Sequence, residues 1–567
     1  MAYMDTYRVW QQRQLEDPDL VLEMEQIQGN EKEIKERFIK DLEFGTAGLR
    51  GILGVGTNRM NIYTVRLATQ GMADYINASH KGASVAIGYD SRIKSQLFAE
   101  ETACVFAANG VRVYLFSELM PTPVLSYAVR ELHCDAGIVI TASHNPAQYN
   151  GYKAYGPDGC QLNPEAAAKV LEYAGKTDIF DGVKRIPLQE GLSSGHISYI
   201  SQELVDAFLD RVYSLRINPS LPASQPLKVV YTPLNGSGNR CVRSILSRMG
   251  VDVTVVPEQE HPDGNFPTCT YPNPEEKATL QLGIALCQQL GGDLVLATDP
   301  DCDRVGIAVN HHGQFVLPTG NEVGVLMLEY IASCRKAQST LPQNPVAVKS
   351  IVSTPLADAV AAYHGVEMIN VLTGFKYIGE QVSLLAEKGQ PDRFLLGFEE
   401  SYGYMTGDHV RDKDAVNGSM IICEMAQYYK NQGKTLIDVL DDIFARHGVY
   451  SAKVKGYTFE GTDGMEKMAK IMASLRQNPP VSFAGYNVTG YADYKTGFRT
   501  ANGQQEPLNL PAANILEYNL EQNLKIVIRP SGTEPKIKVY LTIVCPTKEQ
   551  VEPLALQLLQ AVEQYMA

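Results

Sequence analysis

ASVAIGYDSRIKSQLFAEETACVFAANGVRVYLF, Ala83 to Phe116, reads as a strand, a helix and a second strand. ASVAIGYD is apolar enough to be a buried strand, SQLFAEETACVFAANG is a helix that stops at Gly110, and VRVYLF is the next strand. Downstream, YAVRELHCD and then AGIVI continue the alternation, which is α/β organisation.

The same pattern recurs twice. QPLKVVYTPLNGSGNRCVRSILSRMG, VDVTVV, the helix EEKATLQLGIALCQQLG and DLVLATDPDCDRVGIAV form a second unit; NEVGVLMLEYIAS, PVAVKSIVST, ADAVAAYHG and RFLLGFEESYGYM form a third. The last region carries two strands around RPSGTEP and a closing helix, and GYNVTGYADYKTGF before them reads as a connection or outer strands. The expected fold is therefore three similar α/β domains followed by a smaller α+β domain, over residues 1–205, 206–324, 325–454 and 455–567, with helices from the N-terminus leading into EFGTAGLRG.

At 567 residues, 44% hydrophobic and 20% charged, the chain has the composition of an ordinary globular protein with several cores. Its 64 acidic against 50 basic residues give a formal charge of −14, a field that repels nucleic acid and anionic membranes. Neither is an expected partner, and a small anionic substrate would need a local cationic pocket. No apolar span approaches the roughly 18 residues of a membrane helix, and MAYMDTYRVWQQRQLEDPDL lacks the build of a signal segment. A soluble, cytoplasmic protein is expected. The ten Cys residues are scattered without CxxC spacing and read as reduced packing groups. Cys302 sits among carboxylates, whose like charge disfavours its thiolate.

Four stretches carry candidate chemistry. TASHNPAQYNGYK, Thr141 to Lys153, sets Ser143, His144 and Lys153 in a loop after the strand GIVI. No GxSxG elbow surrounds Ser143, so a hydrolase triad is a poor fit, and a loop hydroxyl or helix cap is the plain alternative. DPDCDR spaces Asp299, Asp301 and Asp303 two residues apart after a strand, where their oxygens can converge on Mg²⁺ or a similar hard ion; a solvated acidic loop neutralised by Arg304 has the same sequence. GFEESYG offers Glu399, Glu400 and Ser401 to sugar hydroxyls, or as a cap with solvated acids, and RDKDA nearby supplies Arg411 and Lys413 against phosphate charge. RPSGTEPKIKVY combines Arg529 and Lys538 with Ser531, Gly532 and Thr533, a group suited to wrapping a phosphate without a Walker A pattern, or a charged β-turn.

Together, TASHNP, DPDCDR, GFEESYG and RPSGTEP resemble, in content and order, the phosphoserine, metal, sugar and distal-phosphate loops of the α-D-phosphohexomutase superfamily, and EFGTAGLRG resembles an amino-terminal signature of its phosphoglucomutase and phosphopentomutase branch. The resemblance covers essentially the whole chain. It implies four domains around a central active-site cleft and a resting phosphate on Ser143. It also implies Mg²⁺ held by Asp299, Asp301, Asp303 and an oxygen of the modified Ser143. By the same resemblance, Lys153 and His144 are acid/base candidates and Arg50 lies near the reactive serine. Arg304 and Lys413 line the cleft, Thr373 and Gly374 lie in the recognition loop of the third domain, Glu399 and Ser401 contact the sugar, and Arg529, Ser531, Gly532 and Thr533 bind the phosphate not being transferred. The implied reaction interconverts α-D-glucose 1-phosphate and glucose 6-phosphate through glucose 1,6-bisphosphate, in a monomer or weak homodimer. Pentose phosphates and a noncatalytic phosphosugar-binding regulator are the alternatives.

Overall fold

The computed structural model describes residues 2–45, 48–222, 225–459, 464–501, 503–531 and 535–566. Four sheets succeed one another along the chain. In the first, Ser84–Tyr89 pairs in parallel with Ala136–Ile140 on one side and Arg112–Leu115 on the other. Ser84–Tyr89 and Ala136–Ile140 are buried on both faces, which is why their sequence is a run of apolar residues without a polar alternation. The strand Tyr149–Tyr155 then runs antiparallel to Ala136–Ile140, with Ile140 opposite Tyr152, and Gly48–Ile52 pairs on its far side, with Arg50 opposite Gly151.

This ending recurs. In the second sheet Leu294–Thr298 is parallel to Lys228–Thr232 and turns back as Val305–His311, with Thr298 opposite Val305. In the third, Phe394–Phe398 is parallel to Val346–Ser350 and turns back as Tyr404–Met405, with Phe398 opposite Tyr404. Each of the first three domains thus finishes a buried parallel strand in an antiparallel hairpin. The three turns, residues 141–148, 299–304 and 399–403, are the loops singled out by composition.

The fourth sheet is antiparallel throughout and is backed by the helices Gly464–Gln477 and Val551–Glu563. Its strands Lys525–Pro530 and Lys536–Cys545 flank RPSGTEP as expected, so the domain is α+β. Tyr486–Asp493 was expected at the margin of this domain but pairs on both sides, with Leu516–Leu520 and Phe498–Ala501.

The joins expected after residues 205, 324 and 454 fall inside the helix Gln202–Ser214, the helix Gly320–Ala337 and the strand Val449–Thr458. An amphipathic element is a unit of packing, so we place the joins at residues 200–201, 317–319 and 448 instead. At the amino end, Trp10, 1% exposed, packs edge-on against Phe38, Tyr63 and Phe180 and anchors the leading helices to the first domain. Among the described residues no helix is long and apolar enough to cross a membrane.

Candidate active site

Ser143 stands at the head of the first hairpin turn with φ +52°, a left-handed conformation that costs a non-glycine residue about 1 kcal/mol or more and needs surrounding structure to hold it. That structure comes from two neighbouring side chains. The Ser143 N–H donates to Thr141 Oγ1 at 2.8 Å, and Thr141 Oγ1 donates to Asp90 Oδ2 at 2.6 Å. Arg92 is buried beneath the loop, where its guanidinium donates to four carbonyls: Ser143 (2.6 Å), Asn145, Pro146 (2.9 Å) and Tyr149 (3.0 Å). Burial pulls the Arg92 pKa down, against the charge of Asp90. Arg92 is a residue the motif reading missed; its signal was YDSR, at the carboxyl end of a parallel strand, where α/β sheets place their sites.

Two groups meet the Ser143 hydroxyl, which donates to Asp299 Oδ2 at 2.9 Å and lies 3.1 Å from His144 Nδ1. Adjacency in sequence did not require the second contact. Burial, then the charges of Arg304 and Arg50, hold the His144 pKa well below the usual imidazole value, so the ring is neutral. Arg50 lies at the loop's outer side and donates to Asn145 Oδ1 at 3.2 Å. Lys153 is not in the loop, as expected from sequence, but in the strand Tyr149–Tyr155, because YNGYKAY pairs on both sides. Its ammonium returns to the site from the strand, 2.6 Å from Asp301 Oδ2 and 3.3 Å from Asp303 Oδ2.

The turn from Thr298 to Val305 brings Asp299, Asp301 and Asp303 together, all fully buried and each able to present an oxygen within 4.8 Å of the others. Backbone contacts set it. Pro300 O accepts from Ser237 N–H at 2.8 Å and Ser237 Oγ at 2.9 Å, and a side chain at Gly236 would put its Cβ 2.4 Å from Pro300 Cα. Asp299 Oδ1 accepts the N–H groups of Asp303 and Arg304, while Thr122 of the first domain donates from Oγ1 to Asp301 Oδ2 at 3.1 Å. Lys413 Nζ lies 3.1 Å from Asp303 Oδ2.

Burial, then the charges of Asp301 and Asp303, push the Asp299 pKa well up. For Asp301 burial acts the same way, but the charge and hydrogen bond of Lys153 outweigh it and the pKa falls. The Oδ1 atoms of Asp301 and Asp303 are buried with no hydrogen-bond partner. Buried oxygens left this way, in a set made only of carboxylates and a serine hydroxyl, fit a hard divalent cation such as Mg²⁺. The solvated-loop reading does not survive this burial.

The third hairpin faces the second. Val305 N–H donates to Tyr402 O, and a β-bridge links Arg304 to Gly403. A Cβ at Gly403 would lie 2.2 Å from Lys413 Cδ, so any side chain there would displace the lysine stem that passes over it toward Asp303. Glu399 Oε1 accepts Gly374 N–H at 2.9 Å, and burial, then Glu400, push its carboxyl up to about 7 against the pull of Lys413 and Arg304. Ser401 Oγ reaches Glu400 Oε1 at 3.4 Å, and Thr373 Oγ1 is buried without a hydrogen-bond partner. Arg411 does not serve phosphate as expected. It is 2% exposed and its guanidinium donates to Ser383 Oγ, Asp408 O and Val410 O, so it builds the loop instead.

In the fourth domain Arg529 pairs with Lys538 across two strands, and Ser531 N–H donates to Lys536 O at 2.7 Å. Burial, then the charges of Arg529 and Lys536, lower the Lys538 pKa, while Glu400 and Glu275 raise it, so the Lys538 ammonium senses acidic groups of the other domains. Gly532 and Thr533 lie outside the described residues. Burial raises the Cys302 thiol well above its ordinary pKa and leaves it inert.

Models of the three α/β/α domains of phosphoglucomutase/phosphomannomutase match residues 41–179, 206–313 and 319–447. A phosphoglucomutase of Staphylococcus epidermidis is 37% identical over 508 residues, 89% of this chain and 91% of its own length. One of Staphylococcus aureus strain USA300 is 36% identical over 531 residues, 92% of this chain and 93% of its own. The solved structure of parafusin, a phosphoglucomutase from Paramecium, in its open form shares the fold with a TM-score of 0.68 at 16% identity, covering 93% of this chain and 94% of that one.

Proposed function

Because the chain belongs to the phosphoglucomutase/phosphomannomutase family of the α-D-phosphohexomutase superfamily, we propose that it reversibly converts α-D-glucose 1-phosphate to glucose 6-phosphate through a phosphoserine at Ser143 and glucose 1,6-bisphosphate. The observation that carries this reading is the contact of the Ser143 hydroxyl with Asp299, within a buried carboxylate set that has two unpartnered oxygens.

Asp299, Asp301 and Asp303, with the oxygen on Ser143, would hold Mg²⁺, which when bound offsets negative charge on the phosphoryl group. Arg92 and Thr141 fix the loop so that the serine oxygen keeps one position through both transfers. The sugar monophosphate enters with its own phosphate on Arg529 and the Ser531 loop, and its hydroxyls meet Glu399 and Ser401. Its free hydroxyl takes the phosphoryl group from Ser143, giving the bisphosphate, while the hydroxyl proton passes through His144 to the departing serine oxygen. After the sugar reverses, the other phosphate returns to Ser143, whose oxygen must then lose its proton. Neutral His144, with Nδ1 3.1 Å away, is placed to accept it. Burial lowers the Lys153 pKa, but Asp301 and Asp303 outweigh burial and raise it, so its ammonium stays charged and donates to a phosphoryl oxygen.

Purified protein supplied with glucose 1-phosphate, Mg²⁺ and a trace of glucose 1,6-bisphosphate should form glucose 6-phosphate with no release of free phosphate. Faster turnover of ribose 1-phosphate would reassign the substrate to pentoses. Stoichiometric phosphate release would make the protein a phosphatase, and no turnover of either sugar would make it a binding protein.

A further inference from the structure

Away from the cleft, the turn that ends Val305–His311 in the second domain meets the start of the helix Leu436–His447 in the third. His312 takes φ +53° and Gly313 φ +89°, a tight reversal that leaves the rings of His311 and His312 4.3 Å apart between centres. Asp438 closes the capping box of the helix: its Oδ2 accepts from Thr435 N–H and Thr435 Oγ1, both at 2.8 Å. Its Oδ1 is turned to the hairpin, 4.0 Å from His311 Nδ1 and 3.7 Å from His312 Nε2.

The threonine also sets a tautomer. Thr435 has one hydroxyl hydrogen, and Asp438 Oδ2 takes it. In the 2.9 Å contact between Thr435 Oγ1 and His311 Nδ1 the imidazole N–H is therefore the donor, which puts the lone pair of His311 on Nε2. Ligation at Nδ1, the nitrogen 4.0 Å from Asp438 Oδ1, would exchange this bond for the ion and leave the ring proton on Nε2.

We propose that His311, His312 and Asp438 form a second cation site, for a transition-metal ion of the Zn²⁺ class, that fastens the second domain to the third. Each can present one ligand atom within 4.8 Å of the other two. Ligands about 2.0–2.1 Å from Zn²⁺ stand roughly 3.3 Å apart in a tetrahedron, so a small closure is required. His312, with its side chain 71% exposed, has the freedom to make it. The donor chemistry separates this site from the aspartate cluster: two imidazoles and one carboxylate favour Zn²⁺, Co²⁺ or Ni²⁺, and all-oxygen donors favour Mg²⁺. His311 closes the strand that leaves the aspartate turn, so the two sites mark opposite ends of Val305–His311.

The test titrates the full-length protein with Co²⁺ in a large excess of Mg²⁺, following the visible absorption of the bound ion and the heat of binding. The expected result is one Co²⁺ per chain, displaced by Zn²⁺, with Zn²⁺ raising the unfolding midpoint. His312→Gln should weaken binding at least about 10-fold. His311→Gln with His312→Gln should abolish it and leave Mg²⁺-supported turnover unchanged, while Asp301→Asn should keep it. Absence of Co²⁺ binding, its survival in the double histidine variant, or its loss in Asp301→Asn alone would overturn the proposal.

Discussion

Ser143 Oγ lies 2.9 Å from Asp299 Oδ2 although 156 positions separate the two residues in the chain. Each stands at the first or third position of a hairpin turn in a different domain, so the contact exists only because two sheets present the same end to one another. The third hairpin joins them through Arg304 and Gly403, and Lys413 spans from the third domain to Asp303. The aspartate cluster, Ser143 and the Glu399 turn are therefore held by repeats of one topological device.

Arg92 is a positioning residue, since its guanidinium touches the backbone of the loop and not the reacting oxygen. Arg92→Met should lower kcat about 10- to 100-fold with KM nearly unchanged, because the loop moves while the sugar contacts remain. It should also cost about 3 kcal/mol of stability, as several buried carbonyls lose their donor. Arg92→Lys should restore only part of either loss, having no fork. Steady-state kinetics with thermal unfolding separates this from a purely structural role, which would change stability alone.

Removal of divalent ions with EDTA should stop turnover, and Mg²⁺ should restore it. Asp303→Asn keeps the shape of the turn but removes one anionic donor, and should raise the Mg²⁺ concentration for half-maximal rate at least about 10-fold. An unchanged Mg²⁺ dependence would remove Asp303 from the metal set.

Glu399 gives a pH signature. Its carboxyl is raised from 4.5 to about 7, first by burial and then by Glu400. Between these values the folded state holds a proton that the unfolded state has lost, so the contribution to stability is complete below 4.5 and falls as pH rises toward 7. The fall should be on the order of 3 kcal/mol. Glu399→Gln removes it, so wild type should lose stability relative to the variant across that window. Denaturant unfolding at pH 4.5, 6 and 7.5 measures the difference, and a constant gap would contradict the assignment.

Arg529 should act on binding. Arg529→Gln should raise KM for glucose 1-phosphate at least about 10-fold, with a smaller fall in kcat, because the distal phosphate loses a bidentate donor. Equal loss of kcat and of kcat/KM would instead place Arg529 at the transferring phosphate.

Much of this was legible in the sequence because the reactive turns follow apolar strands, and a polar run after such a strand stands out. Ser143, the aspartates and Glu399 were all singled out in that way. Lys153 was assigned to the loop because YNGYKAY has no hydrophobic run; its strand is built by pairing on both sides, which only the sheet supplies. Arg92 carried no motif, since its role is to satisfy carbonyls of a loop about 50 residues away. Arg411 and Lys413 differ by two positions, and nothing local distinguishes the one buried against its own loop from the one that reaches Asp303. The expected joins fall inside two helices and a strand because composition does not change where such an element begins.

The central claim is that Ser143 passes a phosphoryl group to and from the sugar. The direct measurement uses glucose 1,6-bisphosphate with both phosphates labelled, followed by a chase with unlabelled glucose 1-phosphate and peptide mapping at each stage. The account predicts label on the peptide that contains Ser143, lost into sugar phosphate during the chase, and neither labelling nor turnover in Ser143→Ala. Turnover at the normal rate with no label on Ser143, or in Ser143→Ala, would contradict it.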